Sequence, residues 1–123
     1  MILLIAGSRT FNDYDRLKTE INKLTFDGIV SGGAKGADTL ARKYAFENKI
    51  PFTEIIPDWS SLGKEAGYRR NEQMWEIADY GIIFWDGKSK GTKHNIELAK
   101  EQGKRIIIVT DKINEKQPIF MDF

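Results

Sequence analysis

Short apolar runs alternate with longer amphipathic segments along the chain, and this alternation restricts the fold more than any other feature. Continuous apolar runs are typical of strands that are covered on both faces. The segments between them place apolar residues at helical spacing, and in the third segment Met74, Ile77 and Ala78 are expected to face the core. The predicted strands cover residues 2–6, 28–30, 52–56, 81–85 and 105–109. The predicted helices cover residues from about 14 to 24, 37 to 48, 65 to 78 and 92 to 102.

A strand followed by a helix, repeated four times, predicts parallel strands joined by right-handed crossovers. The expected fold is therefore α/β, a Rossmann-like doubly wound parallel sheet of about five strands with helices on both faces and the common strand order 3-2-1-4-5. A length of 123 residues is typical of one domain, so residues 1–123 are expected to form a single ligand-binding domain. Residues 111–123 have little periodicity, and their structure is not predicted.

Charge and composition exclude several classes of function. Lys and Arg number 19 against 18 for Asp and Glu, and this balance argues against a nucleic-acid partner, which usually requires a basic excess. The absence of cysteine excludes disulfides, thiolate metal sites and a cysteine nucleophile. His94 is the only histidine, so no metal site is expected. No run approaches the ~20 apolar residues that span a bilayer, and the apolar start is too short for a signal peptide. We therefore expect a cytoplasmic protein without a membrane partner.

Glycine-rich turns follow the first, second and fourth predicted strands. Glycine lets main-chain N–H groups approach a ligand, and each following helix begins with unpaired N–H groups that favour an anion. In the order 3-2-1-4-5 these turns lie at one edge of the sheet, so they predict a site for a phosphate-bearing ligand, although glycine also occurs in tight turns that bind nothing. The predicted binding residues in these turns are Gly7, Ser8, Arg9, Ser31, Gly32, Gly33, Ala34, Gly36, Asp38, Asp86, Gly87, Ser89, Gly91 and Thr92.

The glycine spacing matches neither the GxGxxG dinucleotide motif nor the GxxxxGK[ST] phosphate loop. Instead, several short motifs from Gly7 to about Val109 occur in the order typical of another family. The motifs are Gly7-Ser8-Arg9, the run 31–38, Asp58-Trp59, the run 63–67, Arg70-Asn71 with Met74, Trp85-Asp86-Gly87 with Ser89, and Gly91-Thr92. Together they resemble the YspA-type, cpYpsA-related branch of the SLOG superfamily. That resemblance implies a Rossmann-like fold and a nucleotide or nucleotide-derived ligand.

The enzymatic relatives in that superfamily, the LOG phosphoribohydrolases, allow a comparison by residue. They carry an Arg-Lys pair shortly before a Met, and a catalytic Glu after a Gly-Thr turn. Arg70 matches the Arg of this pattern, whereas Asn71 stands at the Lys and Asn95 at the Glu. Because an amide cannot take up a proton, these differences favour binding over turnover.

Three functions remain open at this point. The first is a sensor or sequestering module that binds a phosphate-bearing nucleotide or ADP-ribose-like ligand, with Arg70 and Asn71 among the binding residues and no cofactor required. The second is a phosphoribohydrolase-like N-glycosidase acting on nucleoside 5′-monophosphates, with catalytic candidates Arg70, Asp38 and Glu97, or Asp58 as another acid. The third is single-stranded DNA binding in the manner of DprA, which the charge balance disfavours. A homodimer is expected by analogy with relatives only.

Overall fold

The computed structural model describes residues 1–110 and 119–121. Six strands and five α-helices are present in this part of the chain. The strands are β1 (Ile2–Gly7), β2 (Gly28–Ser31), β3 (Phe52–Glu54), β4 (Tyr80–Trp85), β5 (Arg105–Thr110) and β6 (Ile119–Met121). The helices are α1 (Tyr14–Ile21), α2 (Ala37–Glu47), α3 (Trp59–Leu62), α4 (Ala66–Ile77) and α5 (Lys90–Gln102), with a 3₁₀ turn (Gly63–Glu65) between α3 and α4.

The strands form one sheet in the order β3-β2-β1-β4-β5-β6. The first five strands pair in parallel, which confirms the predicted Rossmann-like sheet and the order 3-2-1-4-5. The sixth strand pairs antiparallel with β5, with Ile107 opposite Phe120. β6 was not predicted because it lies in the segment 111–123, whose other residues are outside the described part of the chain.

The apolar side chains of the strands divide between two cores, one on each face of the sheet. Leu3 and Ile5 belong to one core, and Leu4 and Ala6 belong to the other, as the two-residue period of a strand requires. The first core is completed by residues of α1 and α2, and the second by residues of α4 and α5. The helices therefore cover both faces and leave the ends of the strands for the connecting turns.

In helix α4, one of the residues predicted to face the core is exposed instead. Ile77 is 44% exposed, whereas Trp75 is fully buried, so the predicted inward position of Ile77 was wrong. Positions 71, 74, 75 and 78 form the buried stripe, at the spacing of one helix face. Ile77 lies outside this stripe. Within the described residues, no helix has both the length and the apolar character needed to cross a membrane.

Candidate functional site

A cleft of about 380 Å³ opens at the carboxyl end of β1, beside the turns that follow β2 and β4. The first glycine turn, the start of α2, helix α4 and the start of α5 all contribute to its walls. The lining residues are Ala6, Gly7, Arg9, Thr10, Ala34, Asp38, Trp59, Gly67, Tyr68, Arg70, Asn71, Met74, Ser89, Lys90, Gly91, Thr92 and Asn95. The three glycine turns therefore converge on one cleft.

The first and third turns are held together by the hydroxyl of Ser8, which is buried. The backbone N–H of Asp86 donates to Ser8 Oγ at 2.9 Å, and the hydroxyl of Ser89 lies 3.3 Å from it. The backbone N–H of Ser8 donates to the carbonyl of Phe84 at 2.8 Å. Ser8 thus joins β1 to the end of β4, and it lies outside the cleft lining.

Asp86 holds the third turn in shape. Its Oδ1 accepts hydrogen bonds from the backbone N–H groups of Lys88 and Ser89, at 2.7 and 2.8 Å, and its Oδ2 accepts from the Ser89 hydroxyl at 3.0 Å. These N–H donors lower the pKa of Asp86 below its ordinary value. The carboxylate is therefore a structural element of the turn.

The first and second turns touch through main-chain atoms, and the contact requires glycine at position 36. Gly36 has a φ of 80°, and a Cβ there would lie 2.3 Å from the carbonyl oxygen of Ser8. No side chain fits this position, because the φ value and the close approach both exclude one. The backbone N–H of Ala37 donates to the same Ser8 carbonyl at 3.4 Å, so this amide of the α2 start is used within the protein.

Arg70 reaches from α4 across the cleft to the second turn. Its Nη1 donates to the carbonyl of Gly32, and its Nε donates to Asn71 Oδ1 at 3.0 Å. A Cβ on Gly32 would lie 2.5 Å from Arg70 Nη1, so the glycine makes room for the guanidinium. Burial lowers the pKa of Arg70, with the charge of Asp38 acting in the opposite direction, and an arginine stays charged throughout the range in which proteins fold.

Asn71 connects α4 to α5 beside the cleft. Its Nδ2 lies 3.3 Å from the carbonyl of Gly91 and 3.2 Å from His94 Nδ1. An acceptor role for Nδ1 requires the neutral ring, and burial lowers the pKa of His94, which favours that form. The Oδ1 of Asn71 thus bonds to Arg70 and its Nδ2 bonds to α5, so the side chain of Asn71 positions the guanidinium.

Asp38 is a buried carboxylate in the cleft wall, at the start of α2. Its Oδ2 accepts from the backbone N–H of Ala34 at 3.1 Å, whereas its Oδ1 has no hydrogen-bond partner in the described part of the chain. The hydroxyl of Ser31 donates to the carbonyl of Ile5 at 2.7 Å and also lies beside Asp38. Burial raises the pKa of Asp38 above its ordinary value, against the opposing effects of the Ala34 N–H, the charge of Arg70 and the Ser31 hydroxyl.

The start of α5 forms part of the cleft wall. Gly91 and Thr92 line the cleft, and among the described residues no side-chain hydrogen bond from Ser89 caps the helix. The Ser89 hydroxyl donates to Asp86 instead. One turn further along α5, Asn95 is buried in the same wall, and its Oδ1 has no partner in the described residues.

The structure brings together about half of the residues predicted to bind a ligand. Those that line the cleft are Gly7, Arg9, Ala34, Asp38, Arg70, Asn71, Ser89, Gly91 and Thr92. The predicted residues that lie outside its lining, among those described, are Ser8, Ser31, Gly32, Gly33, Gly36, Asp86 and Gly87. Several of the latter shape the turns, as the contacts of Ser8, Gly36 and Asp86 illustrate.

The acidic candidates occupy three different places. Asp38 is the only carboxylate among the described residues that line the cleft. Glu97 lines a neighbouring groove with Tyr68, Lys90, Lys93 and His94. Asp58 is exposed and caps α3, where it accepts from the backbone N–H of Ser61 at 3.2 Å. Among the three acids considered for catalysis, the geometry therefore leaves Asp38 at the cleft.

The predicted set of binding residues left out several residues that line the cleft. Thr10, Tyr68 and Lys90 border the cleft, and Trp59 stands at its rim with 53% of its surface exposed. Asn95 was recognised only as a missing catalytic acid. Its position three residues after Thr92 placed it near the start of the predicted helix, and this was the available signal.

Comparisons with known proteins agree with the family that the motifs resemble. The sequence model of the YspA, cpYpsA-related SLOG family matches residues 1–61. Gene 61 protein of Mycobacterium phage D29 is 34% identical over 121 residues, which cover 89% of this chain and 97% of that protein. No solved structure matches the chain.

Proposed function

Since the chain belongs to the YspA, cpYpsA-related SLOG family, we propose that it binds a phosphate-bearing nucleotide or a nucleotide-derived ligand, such as an ADP-ribose-like molecule, in the cleft. In this proposal the protein is a sensor or a sequestering module, and the ligand leaves unchanged. The observation that carries the proposal is the number of positively charged groups around the cleft. Arg9, Arg70, Lys90 and the uncapped start of α5 all border the cleft.

The start of α5 is the proposed phosphate site. Helix N-termini attract anions because their first N–H groups lack partners and the helix dipole is positive there. Near the start of α2, by contrast, some backbone N–H groups already have partners within the protein. The N–H of Ala37 donates to the Ser8 carbonyl, and the N–H of Ala34 donates to the carboxylate of Asp38. A phosphate at Gly91 and Thr92 would lie in the cleft that Arg70 also lines.

The size and the rim of the cleft suit a nucleotide. A volume of about 380 Å³ is within the usual range for small-molecule sites. Trp59 and Tyr68 line the cleft with exposed fractions of 53% and 46%, so each offers a ring face on which a base can stack. This combination of cationic lining residues and an aromatic rim supports a ligand that has both a phosphate and a base.

Calorimetric titration with AMP, ADP-ribose and NAD tests the proposal. We expect at least one of them to bind, and we expect Arg70→Ala to weaken that binding by roughly ten-fold or more, as the loss of a charge-assisted contact implies. Arg69→Ala is the matched control, because Arg69 is the adjacent residue on α4 and makes exposed ion pairs with Glu72 and Glu76.

Two results would count against this function. One is the absence of binding by every phosphorylated nucleotide tested. The other is equal loss of affinity in Arg70→Ala and Arg69→Ala, which would show that the effect does not come from the cleft. Thermal unfolding of both variants checks that each remains folded at the temperature of the titration.

One observation favours hydrolysis as a second candidate function. Asp38 is a carboxylate in the cleft wall, and burial raises its pKa, as the general acid of an N-glycosidase requires. In that case the protein would release the free base from nucleoside 5′-monophosphates, and Asp38→Asn would abolish the release. Chromatography of AMP incubated with a high concentration of the protein tests this function. If the AMP stays intact, the hydrolase function is wrong.

A further inference from the structure

A line of hydrogen bonds connects the second glycine turn to α5 through two residues of α4. Arg70 Nη1 donates to the carbonyl of Gly32, and Arg70 Nε donates to Asn71 Oδ1 at 3.0 Å. On the other side of the same amide, Asn71 Nδ2 lies 3.2 Å from His94 Nδ1. Arg70 and Asn71 line the cleft, whereas His94 lines the neighbouring groove. These contacts therefore join a ring outside the cleft to the guanidinium inside it.

The partners of Asn71 determine the protonation state of His94 that fits the site. A guanidinium only donates hydrogen bonds, so the atom of Asn71 that faces Arg70 is the oxygen. A carbonyl only accepts them, so the atom that faces the Gly91 carbonyl at 3.3 Å is the nitrogen. The same nitrogen faces His94 Nδ1, which must then accept, and only a neutral ring with its proton on Nε2 can do so. A second proton on the ring would set two donors against each other.

Resting on the proposed nucleotide site, we infer that neutral His94 is a positioning residue for ligand binding, because through Asn71 it holds the guanidinium of Arg70 in the orientation that meets the ligand. Protonation of the ring removes one of the two contacts of Asn71 whichever way its amide points. If the amide stays, its bond to His94 is lost, and if it turns to suit the ring, its NH₂ group faces the donor Nε of Arg70. In both cases the guanidinium is held less firmly, so binding weakens.

The surroundings of His94 favour the neutral ring at neutral pH. The ring of Tyr68 packs edge-on against it, with the ring centres 4.5 Å apart. Burial lowers the pKa of His94, and nearby carboxylates oppose this effect. The charged groups around the ring, all on α4 and α5, are Glu72, Lys90, Lys93, Glu97 and Glu101. Because the pKa lies below the ordinary value of 6.5, the contact with Asn71 is complete at pH 7 and is lost as the pH falls through the folded pKa.

The experiment measures the affinity for AMP, ADP-ribose and NAD by calorimetric titration at several pH values from about 7.5 down to about 5. It compares the wild type with His94→Asn, whose side-chain oxygen stands at the same number of bonds from Cα as Nδ1 and does not titrate. We expect the two proteins to bind alike at the highest pH. At the lowest pH the wild type should bind roughly three- to ten-fold more weakly, as the loss of one neutral hydrogen bond implies. Titration of the ligand phosphate or of Asp38 affects both proteins and cancels in this ratio.

Two further variants separate positioning from a general effect on α5. His94→Leu removes the acceptor, and it should bind roughly three- to ten-fold more weakly than the wild type already at neutral pH. Lys100→Ala changes an exposed residue of α5 outside the cleft and the groove, and it should keep the wild-type profile. A merely structural role of His94 would make the affinity ratio of wild type to His94→Asn independent of pH.

NMR of the ring gives an independent readout, because His94 is the only histidine and its signals need no assignment. If the neutral ring favours binding, a saturating ligand must favour the neutral ring by the same factor, and the pKa of His94 should fall on binding. Direct attraction between a protonated His94 and the ligand phosphate would have the opposite sign, with a higher pKa and tighter binding at low pH. The sign of the change therefore distinguishes the two mechanisms.

The failure of this inference is distinguishable from the failure of the proposed function. Identical pH profiles of the wild type and His94→Asn would overturn the inference and leave nucleotide binding standing. Tighter binding by the wild type than by His94→Asn at low pH would also overturn it. Both comparisons remain decisive if His94→Leu does not fold. Absence of binding by AMP, ADP-ribose and NAD at every pH would overturn the proposed function, and the inference with it.

Discussion

Asp38 is a buried carboxylate in the cleft wall whose ionisation opposes folding. The carboxylate is buried, one of its oxygens is unpaired in the described residues, and its pKa is raised by burial. A carboxyl group with a raised pKa binds its proton more tightly in the folded state than in the unfolded chain. Stability therefore falls as the pH rises from the ordinary value of 3.8 through the folded pKa.

Asp38→Asn is expected to be more stable than the wild type at pH 7, by on the order of 1 kcal/mol, because it removes the buried charge and keeps an acceptor for Ala34. The difference should shrink as the pH falls toward 4, since the wild-type carboxyl group binds its proton more tightly in the folded state than in the unfolded chain. Urea unfolding at several pH values between 4 and 7 measures this trend. Lower stability of Asp38→Asn across the whole range would contradict it, and Asp58→Asn, at an exposed helix cap, should show no such gain.

Gly32→Ala separates the role of Gly32 in positioning Arg70 from a role in stability. The new Cβ would lie 2.5 Å from Arg70 Nη1, and the guanidinium can move because it ends a flexible side chain. We expect nucleotide affinity to fall roughly ten-fold, as for Arg70→Ala, with a loss of no more than about 1 kcal/mol in the free energy of unfolding. Titration and urea unfolding of the same sample give both values.

Gly67→Ala is a control for stability only, because Gly67 lines the cleft and the nearest atom to its Cβ would be Trp59 Cη2 at 3.6 Å. Gly67 is in the first turn of α4, so alanine there should not lower the free energy of unfolding. If Gly32→Ala bound nucleotide as tightly as the wild type, the position of Arg70 over the second turn would not matter for binding.

The sequence located the glycine turns correctly but could not assign a role to each residue in them. Gly32 and Gly36 were predicted as binding residues because glycine in such turns commonly borders a ligand. Their neighbours are the Arg70 side chain and the Ser8 carbonyl, respectively, and both contacts depend on how distant segments meet. A local motif specifies which residue types are present, whereas the atom that each residue faces depends on the packing of the whole domain.

At the scale of elements, the three turns act as one unit because hydrogen bonds connect them. The hydroxyl oxygen of Ser8 accepts a hydrogen bond from the backbone N–H of Asp86. The carboxylate of Asp86 in turn accepts hydrogen bonds from the backbone N–H groups of Lys88 and Ser89. The start of α5 is thus oriented by a carboxylate that does not line the cleft. The pKa of Asp86 is shifted below its ordinary value, whereas the pKa of Asp38 is shifted above it. Its contribution to stability is present above the ordinary value of 3.8 and is lost as the pH falls through the lower folded pKa.

Asp86→Ala is therefore expected to lose roughly 1 kcal/mol of stability at pH 7, and the difference from the wild type should narrow below pH 4. Asp86→Asn retains one acceptor for the turn, so a smaller loss is expected. Urea unfolding at pH 7 and pH 3 tests both variants. A loss that is equal at the two pH values would show that the charge of Asp86 has no part in holding the turn.

The strands of the parallel sheet were the most predictable elements, since four of the five are mostly apolar runs that are buried on both faces. The exception is β3, which contains the exposed Thr53 and ends at Glu54 instead of residue 56. The helices were predicted less well at their ends, and α1 ends at Ile21 instead of near residue 24. Helix α3 was missed because four residues are too few to establish a helical period, although Asp58 is a typical N-cap residue. β6 was missed because its pairing with β5 is not visible in a local pattern.

At the scale of the whole molecule, the cleft joins distant parts of the chain. Arg9, Ala34 and Asp38 come from the first third of the sequence, whereas Arg70 and the start of α5 come from the second half. The two groups of helices that contribute these residues also belong to the separate cores on opposite faces of the sheet. A ligand that fills the cleft would therefore connect both halves of the domain.

Nucleotide binding is accordingly expected to stabilise the whole domain and not the cleft alone. At a ligand concentration of about 100 times the dissociation constant, the gain is about 2.7 kcal/mol, which corresponds to an increase of roughly 5–15 °C in Tm for a domain of this size. Hydrogen exchange should slow in the buried strands β1 and β4 as well as in the cleft-lining turns, because strand amides in such cores exchange through global unfolding. Arg70→Ala at the same ligand concentration should show a much smaller rise in Tm. Slower exchange in the turns without any change in β1 and β4 would mean that the ligand orders a local segment and does not connect the two halves.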